Sequence, residues 1–134
     1  MPKVKEFRVT IEDRPAALAS CCLALAGRGI NILAFQSFVE QGESLARFVV
    51  DKPEAALEVL RDLRANFEQD DVVTIRLEHR PGELGRAAAR LGEQHININY
   101  SYCGLEPGSD RPIAVFGVDQ VTNAATLLDE LSAN

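Results

Sequence analysis

Two short loops carry the residues best suited to chemistry. Asp13-Arg14-Pro15-Ala16-Ala17-Leu18 and His79-Arg80-Pro81-Gly82-Glu83-Leu84 each join an apolar, strand-like stretch to one of helical periodicity. A loop that opens a helix offers backbone N–H groups with no intrahelical acceptor, and the positive end of the macrodipole. Those are the requirements for holding a carboxylate. Gly82 lets a ligand approach the backbone where a side chain would block it. Ala16, the next smallest residue, makes the first loop the weaker or altered pocket. The strand returning beside each loop brings an asparagine, Asn31 or Asn97. A carboxamide can accept from an ammonium group and donate to a carboxylate at once, so loop and asparagine together could hold the zwitterionic end of an amino acid. A plainer reading stands beside it: Arg-Pro-Gly is an ordinary strand-to-helix turn, and an asparagine after a helix stop can serve only its own turn.

Other constellations carry less. His79 and His95 are the only histidines and have no CxxC or HxxxH companion, so no metal site is expected. Neither GxSxG, a P-loop nor GxGxxG occurs, and no cofactor is expected. Cys103 could pair with a histidine as a nucleophile, but its expected same-face strand neighbours are only Asn and Ser, which argues against catalysis. Tyr100 and Tyr102 alternate with polar residues as base-stacking aromatics do, yet that strand has no basic residue and core packing explains them better.

The loops are positioned by a duplicated unit. With an offset of 66, Glu12 meets Glu78, Arg14 meets Arg80, Pro15 meets Pro81, Leu18 meets Leu84 and Leu25 meets Leu91. Ile30-Asn31-Ile32 meets Ile96-Asn97-Ile98. Beyond the next loop the offset becomes 68, pairing Phe48 with Phe116, Asp51 with Asp119, Leu60 with Leu128 and Leu63 with Leu131. A fixed period whose only insertion falls in a loop, here 105–112, marks a repeated structural unit.

Each copy reads as βαββα. Strands are expected over 4–12 and 72–78, with Pro15 and Pro81 as first-turn helical prolines. Gly27 and Gly29 stop the first helix. Strands over 30–39 and 96–103 follow, then turns at 41–43 and 107–110 and strands over 45–50 and 113–118. The last helix of copy one places Ala56, Leu60, Leu63 and Phe67 on its core side; that of copy two has Thr122 as N-cap, with Leu128 and Leu131 inward. The expected fold class is α+β: two ferredoxin-like βαββα(β) units, 1–68 and 69–134, with antiparallel sheet and helices on one face. One long strand at 68–78 serves both units. The second lacks a clear final strand, which leaves an edge open to a partner chain.

The chain has 134 residues, 46% hydrophobic and 25% charged, with a net charge of −6. Two units of half this length would each bury only about 60% of their unfolded surface, so they should share a core or dimerise. The acidic balance argues against a nucleic-acid partner. No apolar run approaches the ~20 residues of a membrane span, and the N-terminus has no secretory h-region. Cys21 and Cys22 are adjacent on a helix and Cys103 is far off; reduced structural thiols in a cytoplasmic protein are expected. Apolar residues on both faces of 30–39 (Ile32 and Ala34 against Leu33 and Phe35) suggest that one face meets another chain, in a homodimer.

The loop Arg80-Pro81-Gly82-Glu83-Leu84, a helix, and then Ile96-Asn97-Ile98 resembles the signature of ACT domains. Asp13-Arg14-Pro15-Ala16-Ala17-Leu18 with Gly29-Ile30-Asn31-Ile32 resembles it too, so nearly the whole chain looks like a stand-alone tandem pair. The resemblance implies small βαββαβ modules that bind amino acids at an interface between two ACT units and regulate metabolic enzymes without catalysis. Carried over by position, it implies ligand contacts from Asp13, Arg14, Ala16, Ala17, Leu18, Asn31 and Ile32. The second set is His79, Arg80, Gly82, Glu83, Leu84, Asn97 and Ile98. Ala16 stands where the family usually has glycine, and His79 where Asp or Asn is common. An amino-acid sensor is the first expectation. A ligand-free interaction or dimerisation module regulating a metabolic enzyme is the second.

Overall fold

A computed structural model describes residues 2–133. Its elements run β1 (Lys3–Ile11), α1 (Ala17–Ala26), β2 (Ile32–Glu40), β3 (Glu43–Val50), α2 (Pro53–Asp62), β4 (Phe67–Arg76), α3 (Glu83–Glu93), β5 (Ile98–Leu105), β6 (Pro112–Val118) and α4 (Val121–Ala133). Among the described residues, four helices and six strands give an α+β fold. The chain divides into two compact units, Glu6–Asp70 and Met1–Lys5 with Asp71–Asn134. β1 and β4 therefore each contribute to both.

In the unit Glu6–Asp70, β3 lies between β1 and β2, antiparallel to both. Register places Phe35 opposite Phe48 and Phe48 opposite Phe7. The rings follow suit, with centroids 6.2 and 5.8 Å apart. Such cross-strand aromatic pairs stabilise a sheet beyond their buried area. Phe67 extends the row, 6.2 Å from Phe7. It opens β4 rather than closing α2, which is where its apolar spacing had placed it. The helix stops earlier because Arg64 takes a left-handed conformation (φ 55°) and Ala65 N–H donates to Leu60 O. That 6→1 bond marks a Schellman stop. Over this sheet face α1 and α2 pack Cys21, Leu25, Ala56, Val59 and Leu60 against Phe7, Val9, Ala46 and Phe48. On the other face Glu6 is fully buried, and Arg47 Nη1 donates to its Oε1 at 3.0 Å. The start of β4 runs beside β1, tied by Thr10 N–H to Asn66 O and by the ion pair Arg8–Glu68.

The second unit repeats the plan, with β6 between β4 and β5. α3 and α4 pack Ala87, Leu91, Ala124 and Leu128 on Val73, Ile75, Ala114, Phe116 and Val118. The strand missing from this copy in sequence is supplied by residues 2–5. Thr74 N–H donates to Pro2 O at 2.7 Å and Lys5 pairs with Asp71 at 2.8 Å. α4 begins at Val121, so Thr122 lies within its first turn and is not the N-cap. A register shift follows Ile32 in β2 and Ile98 in β5, at equivalent positions of the two copies. Among the described residues no helix is long and apolar enough to cross a membrane.

Candidate functional site

Both loops form the same turn. Ala17 N–H donates to Arg14 O at 3.3 Å and Glu83 N–H to Arg80 O at 3.5 Å. The third turn residues, Ala16 (φ 67°, ψ 2°) and Gly82 (φ 89°, ψ −13°), are left-handed. This is a type II β-turn with proline at its second position. Pro15 and Pro81 therefore belong to the turn, and the helices begin two residues after them, at Ala17 and Glu83.

No side chain caps α1 or α3. The first N–H groups to bond back into the helices are those of Ser20, to Ala16 O, and Arg86, to Gly82 O. Among the described residues, the amides of Leu18 and Ala19, and of Leu84 and Gly85, have no protein acceptor. Each helix mouth thus keeps two donors for solvent or an anion.

The asparagines are partly committed. Asn31 precedes β2, and its backbone N–H and Nδ2 both donate to Asp51, at 2.9 and 3.2 Å. Desolvation raises the Asp51 pKa, but those hydrogen bonds, with the nearby Lys52 charge, outweigh it and hold the carboxyl below its ordinary value. In the second copy Asn97 Nδ2 donates to Asn99 Oδ1 at 3.2 Å, and Asn99 Nδ2 to Asp119 at 3.0 Å. Asn31 Nδ2 thus clips the start of β2 to the end of β3, whereas Asn97 Nδ2 stays on its own strand and reaches Asp119 only through Asn99. The oxygens of both amides are the ends left to meet an ammonium group.

The other expected residues divide by burial. Ala17 is buried, while Leu18, Ile32 and Ile98 pack half-buried against the cores. Asp13, Arg14, Ala16, His79, Arg80, Gly82 and Leu84 are exposed. Arg14 is held by Glu12 at 2.7 Å. A cleft of about 210 Å³ lies beside the second loop and takes in Arg80 and Glu83. Its other walls include Arg76 from β4, Glu78 just beyond it, Arg86 from α3, and Arg111. The 280 Å³ cleft of the unit Glu6–Asp70 is walled by Arg8, Thr10, Glu43, Leu45 and Glu68 among others, and residues 13–18 do not line it.

Glu83, only 14% exposed, accepts from Arg80 Nε at 3.1 Å and lies 3.8 Å from Arg86 Nη1. Glu78 pairs with Arg111 at 3.1 Å. Arg76 grips Glu106 through both Nε and Nη2. That bond first, then the guanidinium charge, lowers the Glu106 pKa against desolvation. Motif spacing does not mark Arg86 and Arg111 as part of this surface. The available signals were the i,i+3 step from Glu83 to Arg86 and the two-residue loop extension that carries Arg111.

The thiols are free. Burial, then the neighbouring Cys22, pushes the Cys21 pKa up to about 11, and burial raises that of Cys22, so neither is an activated nucleophile. Among the described residues no group of three or more His, Cys, Asp or Glu side chains could hold a metal ion.

No curated protein matches the sequence. Among solved structures, a Bacteroides thetaiotaomicron protein superposes with a TM-score of 0.83 at 22% identity, over 97% of this chain and 89% of its own. The regulatory subunit of aspartate kinase from Thermus thermophilus gives 0.63 at 18% identity, over 96% and 91%. That from Thermus flavus gives 0.58 at 19%, over 97% and 92%. At these identities the likeness speaks for the fold. The sequence match is to the family described as ACT domain pair, and it spans residues 3–132. With its duplicated turn, helix and Ile-Asn-Ile segments, this chain belongs to the ACT domain pair family.

Proposed function

We propose that this chain is a non-catalytic regulatory protein that binds a small amino acid through the loop after the first strand of each ferredoxin-like ACT unit (1–68 and 69–134 in sequence). It works inside the cell as a homodimer and passes the signal to a metabolic enzyme. The observation that carries this reading is the second helix mouth, where the amides of Leu84 and Gly85 are open and their chain neighbours Glu83 and Arg86, with Arg80, line an arginine-walled cleft. The ligand carboxylate meets those amides around Gly82, with Arg80 alongside. Asn97 and Ile98 serve the same ligand from the strand side, the carboxamide oxygen sharing the ammonium group with a glutamate of the cleft wall. His79 and Leu84 frame the entrance. In the first unit Asp13, Arg14, Ala16, Ala17, Leu18, Asn31 and Ile32 are the counterparts, with Ala16 narrowing the approach.

Thermal melts against the twenty amino acids test this. A ligand at 100 times its Kd stabilises by about 2.7 kcal/mol, a shift of about 10 °C for a chain of this size. Gly82→Val should abolish the shift; the space around Gly82 is open, but its φ of 89° strains any L side chain, so a melt and far-ultraviolet spectrum of the unliganded variant must first show it folded. A shift that survives Gly82→Val would place the ligand elsewhere. Uniformly flat melts would favour a second reading, a ligand-free interaction module. One feature supports that alternative: α1 has no charged residue and turns Leu23, 69% exposed, outward, whereas a helix apolar all round is normally covered.

A further inference from the structure

We infer that the cleft beside the second loop selects an acidic amino acid, one bearing two carboxylates and one ammonium group. This rests on the amino-acid reading and names its ligand class. Four arginines reach the cleft, but Arg76 is spent on Glu106, which takes both its Nε and Nη2. The other three are only partly engaged. Arg80 gives Glu83 its Nε, Arg86 is 3.8 Å from the same carboxylate, and Arg111 offers one terminal nitrogen to Glu78. A guanidinium has five N–H donors in a planar fork suited to a carboxylate, so each keeps donors to spare.

Charge decides which ligand fits. Arg80, Arg86 and Arg111 bring three positive charges and Glu78 and Glu83 two negative ones, leaving a surplus of one. A neutral zwitterion leaves that surplus standing, and a basic amino acid adds to it. A dicarboxylate without an amine overshoots and leaves the acceptor oxygens of Glu78 and Glu83 unused. An acidic amino acid carries a net charge of −1 and cancels the surplus. It sets one carboxylate at the Arg80–Arg86 side and one at Arg111, and its ammonium at a glutamate. Mismatched charge across a site is what discriminates against wrong partners. The first unit has no such set. Ser20 stands at the position of Arg86, and Arg111 belongs to the loop extension found only in the second copy.

Isothermal titration of the full chain with L-aspartate, L-glutamate, L-asparagine and L-glutamine tests the assignment. At least one acid should bind ten-fold or more tightly than its amide. Arg86→Gln and Arg111→Gln should each weaken that acid at least ten-fold, and Arg111→Lys, which keeps the charge, by less than Arg111→Gln. Circular dichroism of each variant confirms that it is folded. Amides binding as well as the acids would overturn the acidic preference and leave the amino-acid reading standing. Acid binding untouched by either glutamine variant would overturn the assignment to this cleft. If none of the twenty amino acids binds, both readings fall.

Discussion

Left-handed backbone at single residues shows where the two copies have diverged under one geometry. Gly82 and Ala16 occupy the same turn position at φ 89° and 67°, and Gly29 and His95 the same helix stop at φ 70° and 58°. In the second stop Ile96 N–H donates to Leu91 O at 3.0 Å, as Ile30 does to Leu25 in the first. A residue with a Cβ in this region costs about 1–2 kcal/mol. Glycine gives back about 0.4–1 kcal/mol of that through the freer unfolded chain. Ala16→Gly and His95→Gly should therefore each stabilise by about 0.5–1 kcal/mol. A denaturant midpoint that falls in either variant would show that contacts of the Ala16 methyl or the His95 ring outweigh the strain. The left-handed positions were legible at Gly82 and Gly29, because glycine announces that conformation. Ala16 and His95 do not, and only the repeat reveals what they must do. The commitment of Asn31 to Asp51 was likewise hidden, since the two are twenty residues apart in sequence.

Among the elements, the two hairpins fill one volume in opposite ways. Register sets Ala34 against Val49 in the first copy and Tyr100 against Gly117 in the second. A Cβ at residue 117 would collide with the Tyr100 ring, which itself stacks on Tyr102 with centroids 6.4 Å apart. Gly117→Ala should cost about 1–3 kcal/mol through overpacking. Because the clash is with one ring, Tyr100→Ala/Gly117→Ala should be more stable than the sum of its single changes implies, by on the order of 1 kcal/mol. Strict additivity in that double-mutant cycle would mean the ring is not what excludes the Cβ. Alternation made these strands readable, but the pairing of large with small residues belongs to register. The same blindness placed Phe67 at the end of a helix: its spacing from Leu60 and Leu63 fits a helical face until Arg64 is seen turning the chain away.

For the whole molecule, the repeat was open to inspection while the way its units are completed was not. A sequence offset finds two copies of βαββα, yet the strand beside the second half of β4 comes from residues 2–5. No local pattern links those residues to a partner some seventy positions on. Their attachment is specific: Pro2 O accepts from both the backbone N–H and the hydroxyl of Thr74, at 2.7 and 3.3 Å. Lys5 meets Asp71, lowering the pKa of that carboxyl chiefly through the hydrogen bond it donates. A chain without residues 1–5 loses at least the two hydrogen bonds from Thr74 to Pro2 O, at about 1 kcal/mol each, and an exposed ion pair of little weight. It should melt roughly 5 °C or more below the full chain. It also gains a strand edge, a template for pairing with other chains, so its apparent mass should rise with concentration. An unchanged melting temperature would mean that β4 does not depend on this strand. A lower one without association would mean that residues 2–5 stabilise the unit but do not shield its edge.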